Sequence, residues 1–253
     1  MQKMQTLKYF IFISIVLSGL LFLFGPEVIP SNFQPQEIIN TVQDKDIIII
    51  FNSGGWGDTP FEKAEDFAPV IEEIQKTLQG FGYNSIVIPF NRTKNTLTGK
   101  FSGAKDFLRY FESSSDILAR DLEFLAEKFP NKKIIITGLS AGGALANETI
   151  EKMSDKARNS VYAIAAGTPF WIKTPKSENV LQLDNNGKDS LVEGNTKSLL
   201  LALIKAPFQW VSSKIKGENI TLSQAFYAPG HDYSWSSPEV GSRIVNFLEN
   251  KIH

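Results

Sequence analysis

Ser140 stands at the centre of Gly138-Leu-Ser140-Ala-Gly142, between the β-branched run 134–137 and the helix-forming stretch Gly143-Ala-Leu-Ala-Asn-Glu-Thr-Ile150. A serine hydroxyl is a weak nucleophile until a neighbouring base takes its proton. On a sharp strand-to-helix turn it projects above the sheet, and the flanking glycines let strand and helix come close. The amides that open the following helix then face any negative charge that develops nearby. This is the arrangement a nucleophile elbow requires, and its chemistry would be attack on a carbonyl. The alternative for the same residues is a small-residue β–α turn with no chemistry.

Few bases are available to such a serine. The 253 residues include two His and no Cys. The lack of Cys excludes a thiolate nucleophile, a disulfide framework, a thiolate zinc site and a Cys-ligated iron–sulfur cluster. Two histidines, one of them the last residue, argue against a multi-histidine metal site, and a serine activated by a histidine needs neither a metal nor an organic cofactor. His253 is the terminal residue, where a fixed geometry is poorly held. Histidine chemistry therefore falls first to His231, in Tyr227-Ala-Pro-Gly-His-Asp-Tyr-Ser-Trp235. Lys and Arg number 26 against 27 Asp and Glu, a net charge of −1, so no global basic field exists to hold nucleic acid.

The elements that must position these residues alternate. Ile47-Ile-Ile-Ile50 reads as a strand buried on both faces, within 46–51. Further strands are expected at 85–90, 133–137, 161–166, 180–184 and 222–228. Helical spacing marks 61–78, 117–129, 141–153 and 238–250. The segment 196–216 reads as mostly helical with a break at Pro207. Residues 91–105 read as a polar loop leading to a short helix at 106–111. Strand–helix–strand units of this length require crossovers and a mainly parallel sheet, whose ligands bind beyond the carboxyl ends of the strands.

With serine, histidine and sheet placed in this way, the chain resembles the α/β-hydrolase family, and Gly138-Leu-Ser-Ala-Gly-Gly-Ala-Leu-Ala146 is similar to the elbow of its lipases and esterases. The resemblance covers about 46–253. Leu139 stands where many relatives have His, and the chain begins at what would be the family's third strand, a minimal form of the sheet flanked by helices. The resemblance implies Ser140 as nucleophile, followed by an acid and a histidine after later strands. His231 sits where the family places its base. The acid is then Asp189, in Gly187-Lys-Asp189-Ser-Leu-Val192, with Asp184 at the strand end as the rival. Asp232, adjacent to His231, reads as a local loop residue. The family's oxyanion hole implies the Ala141 amide and a second from Ser53-Gly54-Gly55-Trp56-Gly57, at Gly54 or Gly55. Trp56, Phe170, Trp171 and Trp235 are candidate substrate-binding residues, suited to an apolar acyl group.

Two apolar stretches lie outside this core. Residues 9–24 carry no charge, follow Lys3 and Lys8, and end at Gly25-Pro26. They read as an N-terminal hydrophobic helix, a signal anchor over 1–26 with the catalytic domain outside the cytoplasm. Secretion after cleavage is the alternative, although no good cleavage site is present. Residues 27–45 read as a linker, and 46–253 as the hydrolase domain. The second stretch, 199–211, carries flanking lysines. It reads as a helix covering the sheet, with a lid or a segment resting on the bilayer as the rival reading. The expected function is a serine hydrolase cleaving a small-molecule or lipid ester through an acyl-enzyme. An acyltransferase using the same residues and a non-catalytic binding protein on the same fold are the alternatives.

Overall fold

The structure, a computed structural model, describes residues 34–217 and 228–253 together with Gly19. Its strands are β1 (Ile47–Asn52), β2 (Ser85–Phe90), β3 (Lys133–Leu139), β4 (Val161–Ala166) and β5 (Val180–Leu183). Its helices are α1 (Pro35–Val42), α2 (Ala68–Gly80), α3 (Leu97–Leu108), α4 (Glu112–Lys128), α5 (Ala141–Lys152), α6 (Asp155–Arg158), α7 (Thr196–Ile215) and α8 (Gly241–Lys251). The described strands form one sheet in the order β2-β1-β3-β4-β5, and every pairing is parallel. This is the expected mainly parallel sheet with helices on its faces.

Side chains alternate across the sheet and build a core on each face. Ile48, Ile50, Ile134 and Ile136 pack with Leu118, Leu122 and Leu125 of α4 and with Leu145 and Ile150 of α5. Ile47, Ile49, Phe51 and Ile135 pack with Ile71, Ile74 and Leu78 of α2 and with Ile244 and Leu248 of α8. The run of isoleucines in β1 follows from this, because all six of its residues are buried.

The topology sets where a ligand can enter. The chain steps from β1 outward to β2, then crosses back over β1 to β3. The direction of winding therefore reverses between β1 and β3, which opens a crevice beyond their carboxyl ends. The register keeps those ends level: Asn52 pairs with Gly138, Leu139 with Ala166, and Ala166 with Leu183. The loops that begin at Ser53, Ser140, Gly167 and Asp184 consequently leave the sheet side by side.

Several elements differ from the sequence expectation. Residues 61–63 form a separate 3-10 turn, and α2 starts only at Ala68, with a proline in its first turn. The expected polar loop 91–105 contains most of α3, whose start is fixed by Thr96 Oγ1 accepting from the Gly99 amide at 3.0 Å. The short helix expected at 106–111 is the end of α3 followed by Tyr110 and Phe111, both left-handed at φ 55° and 59°. The next helix, α4, starts at Glu112 rather than at 117. Helix α7 passes through Pro207 without the expected break. Inside the expected linker, α1 is docked on the core through fully buried Val42, and Lys132 Nζ donates to Gln43 O at 2.9 Å. The expected signal anchor lies outside the described residues apart from Gly19, as does the expected sixth strand except for Ala228, which is in no strand.

Candidate active site

Ser140 occupies the turn between β3 and α5 at φ 57° and ψ −117°, a conformation that costs a non-glycine residue about 1–3 kcal/mol. Across 134–147 it is the one residue that is not buried. The strain therefore turns a single hydroxyl out of an otherwise closed core. Close packing holds the turn: a Cβ on Gly138 would lie 2.3 Å from the Gly142 carbonyl carbon, and one on Gly142 would lie 2.1 Å from Asn52 O. The Ser140 amide is taken by Ala166 O at 2.8 Å.

That last bond brings the end of β4 beside the serine, and the following residue, Gly167, carries the histidine. Gly167 has φ 59°, and a Cβ there would come within 2.4 Å of His231 Cε1 and 2.8 Å of Nδ1. The imidazole thus rests on bare backbone one residue beyond the carbonyl that holds Ser140. Its Nδ1 lies 2.7 Å from Asp189 Oδ2. Asp189 is fully buried, and its other oxygen accepts from the Leu191 amide at 2.9 Å. The Tyr233 hydroxyl lies 2.7 Å from Oδ2 and 3.1 Å from Leu183 O. Burial pushes the Asp189 carboxyl up. The bonds from His231, Tyr233 and Leu191 outweigh burial and hold it below the ordinary carboxylate range. Burial and the Asp189 charge push the Tyr233 phenol well above its usual value, so it stays a neutral donor.

The rival acid is engaged elsewhere. Asp184 Oδ1 accepts from Arg243 Nη1 at 2.9 Å and from the Asn186 amide at 3.0 Å. The loop between the two acids runs through Asn185, Asn186 and Gly187, all left-handed. Asn and Gly tolerate that region better than other residues, which accounts for Asn-Asn-Gly there. Asn185 Nδ2 donates to Gly230 O at 2.8 Å, and the Ser190 amide donates to Pro229 O at 2.9 Å. These bonds tie the acid loop to the histidine loop. Asp232 is exposed, and its backbone carbonyl accepts from Asn185 Nδ2 at 3.4 Å, the part of a local loop residue.

On the other side of the elbow lies the glycine loop after β1. A Cβ on Gly54 would sit 3.0 Å from Leu139 O and 3.8 Å from Ser140 Cβ, whereas one on Gly55 would meet nothing within 4 Å. Of the two candidates left open by sequence, Gly54 is the one against the serine. Ala141, the other expected donor, is buried as the first residue of α5. The loop is held from behind by β2's continuation. Arg92 Nη2 donates to Gly55 O at 2.9 Å, Thr93 Oγ1 donates to Trp56 O at 2.8 Å, and the Thr93 amide donates to Gly57 O at 3.3 Å. Arg92 is 1% exposed, its guanidinium carbon 4.8 Å from the Phe111 ring centroid. Burial lowers it to about 10, against the opposing pull of Asp106 and Asp58.

The aromatic candidates divide. Phe170 and Trp171 are both exposed and meet edge to face at 4.9 Å, and the Phe170 amide donates to Leu191 O, two residues beyond Asp189. Trp56 is exposed on the glycine loop. Trp235 does not join them. It packs against the core on the α2/α8 face, and its carbonyl faces Gly241. Sequence reasoning missed Arg92, Gly167 and Tyr233. The spacing of Tyr233 from His231, two residues on, was the only signal for the tyrosine, and it has no meaning until the loop is folded.

No family model and no curated relative matches this sequence. Among solved structures, the chain is similar to a Trichoderma reesei cutinase in complex with a phosphonate inhibitor. That match has 13% identity and a TM-score of 0.46, over 63% of this chain and 73% of the cutinase. It is also similar to an acetylxylan esterase, at 17% identity and a TM-score of 0.40, over 53% and 80%. A Pyrococcus furiosus esterase gives 18% and 0.33, over 58% of each chain.

Proposed function

We propose that this protein is a serine hydrolase that cleaves carboxylic esters through an acyl-enzyme. The observation that carries the reading is the seating of His231 on Gly167, with Asp189 at 2.7 Å from Nδ1, one residue beyond the carbonyl that fixes the strained Ser140. With Asp189 ionised, Nδ1 keeps its proton and the outer nitrogen of the ring is free to act as base. His231 takes the Ser140 proton as Oγ attacks the ester carbonyl. The amides of Ala141 and Gly54 receive the oxyanion, helped by the N-terminus of α5. His231 then protonates the leaving alcohol, activates a water, and the second tetrahedral intermediate collapses to free acid and enzyme. Phe170 and Trp171 offer an apolar surface for the acyl chain. A small-molecule or lipid ester is the substrate class, and the segment 9–24 holds the domain at a membrane, on its extracytoplasmic side.

The test is covalent. A fluorophosphonate probe should label the wild-type chain at Ser140 and leave Ser140→Ala unlabelled. The Ser140→Ala and His231→Ala variants should each lose ester turnover by about 10⁴–10⁶-fold. Equal labelling of wild type and Ser140→Ala would sink the reading.

A further inference from the structure

Helix α7 is built the wrong way round for a helix that covers a sheet. Among its described side chains, the fully buried ones are small, Ala202, Ala206 and Ser213, with Leu199 half-buried on the same side. Five large apolar residues are well exposed: Leu201, Ile204, Phe208, Val211 and Ile215, from 49% exposed at Val211 to 81% at Ile215, while Trp210, 38% exposed, lies outside their stripe. Their spacing of three and four residues keeps them within an arc of about 80° of the helix surface. The buried residues lie on the opposite side of the helix. The apolar stripe therefore points out from the molecule. From 196 to 217 the sequence holds four Lys and no Asp or Glu. Lys205 and Lys216 lie along one flank of the stripe and Lys214 along the other, while Lys197 opens it.

We propose that this face of α7 docks on the surface of an anionic lipid bilayer, with the stripe in the acyl-headgroup boundary and the lysines at the phosphates. Lysine flanks favour this occupant over a second copy of the chain. Two copies joined along the stripe would set cation against cation, whereas an anionic surface attracts every flank. Long lysine stems also lie along apolar surface while their heads stay in the polar layer. No described helix is long and apolar enough to cross a membrane, so α7 lies on the surface rather than through it. Phe170, exposed, packs on Gly194 just before the helix, so α7 starts beside one of the candidate substrate-binding residues.

The absence of native cysteine makes the test clean. Nitroxide-labelled Phe208→Cys, Ile215→Cys and, as a control, Glu127→Cys forms of the full chain are mixed with phosphatidylcholine vesicles with and without phosphatidylserine. At 208 and 215, phosphatidylserine should raise collisions with oxygen and remove collisions with an aqueous nickel complex. The control should stay aqueous. Labels at 208 and 215 that remain as aqueous as the control overturn the proposal. So does spin–spin broadening between chains, which would assign the face to self-association. Phe208→Glu should abolish the shift measured at 215 and leave turnover of a water-soluble ester unchanged. Fluorophosphonate labelling in the same samples reads the hydrolase proposal separately, because α7 docking does not depend on it.

Discussion

At the residue scale, the position that most directly links backbone to chemistry is Gly167. An alanine there would carry φ 59°, which costs an L-residue about 1–2 kcal/mol. Its Cβ would also stand 2.4 Å from His231 Cε1, so the ring must move. A displacement near 1 Å between reacting groups costs about 10²-fold in rate. Gly167→Ala should therefore lower kcat at least about 100-fold and slow fluorophosphonate labelling equally, with only a modest fall in Tm. Normal labelling with lost stability would show that the glycine serves packing alone. The scarcity of histidine made His231 a candidate from sequence, and the strand–turn–helix context did the same for Ser140. Asp189 and Asp184 differ only in which loop turn they occupy, and that depends on three consecutive left-handed residues. Gly167 and Tyr233 act through contacts between segments tens of residues apart, which no local pattern encodes.

At the element scale, the loop after β1 is shaped from behind by the segment that follows β2. A peptide carbonyl and the next amide point in opposite directions. Bonds to the carbonyls of Gly55, Trp56 and Gly57 on the Arg92–Thr93 side fix the peptides that follow Gly55 and so anchor the backbone just after Gly54. Arg92→Met keeps much of the buried volume and removes the bond to Gly55 O. It should lower kcat about 10- to 100-fold with little change in KM, since an oxyanion donor works mainly in the transition state. Because it also removes a buried charge, Tm should hold or rise. A fall in Tm with unchanged kcat would overturn this role. The elements themselves were legible where burial is uniform: the isoleucine run of β1 and the β-branched run of β3 allow little but buried strands. Helix α3 was hidden because its first turns are polar and glycine-containing, and its start depends on one Thr96 cap. Helix α7 was legible as a helix but not in its orientation, because sequence gives an apolar stripe without saying which side meets the sheet.

At the scale of the whole molecule, two cores share one sheet, and the carboxyls set around them make stability depend on pH. Burial raises Asp66, Asp106, Asp121 and Glu148 above the ordinary range, Asp121 to about 6. A carboxyl whose folded value is raised favours the native state while protonated. That contribution is full below its unfolded value and is lost as pH rises through its folded value. Asp189 acts in the opposite sense: its lowered value gives stability that is lost only as the solution becomes strongly acidic. Between roughly pH 4 and 6 the four raised carboxyls govern the slope, so Tm should fall as pH rises across that window. Asp121 on α4 tests this. Its rise from 3.8 to about 6 amounts to about 3 kcal/mol if taken whole, and about 1 kcal/mol once solvent screening at a half-buried site is allowed for. Asp121→Asn removes the ionisation and should raise Tm at pH 7.5 by about 2–4 °C, while leaving Tm below about pH 4 unchanged. Calorimetry of both proteins across the window checks the sign directly. A stabilisation that is constant with pH would trace to packing, and one that grows toward acid would reverse the assignment.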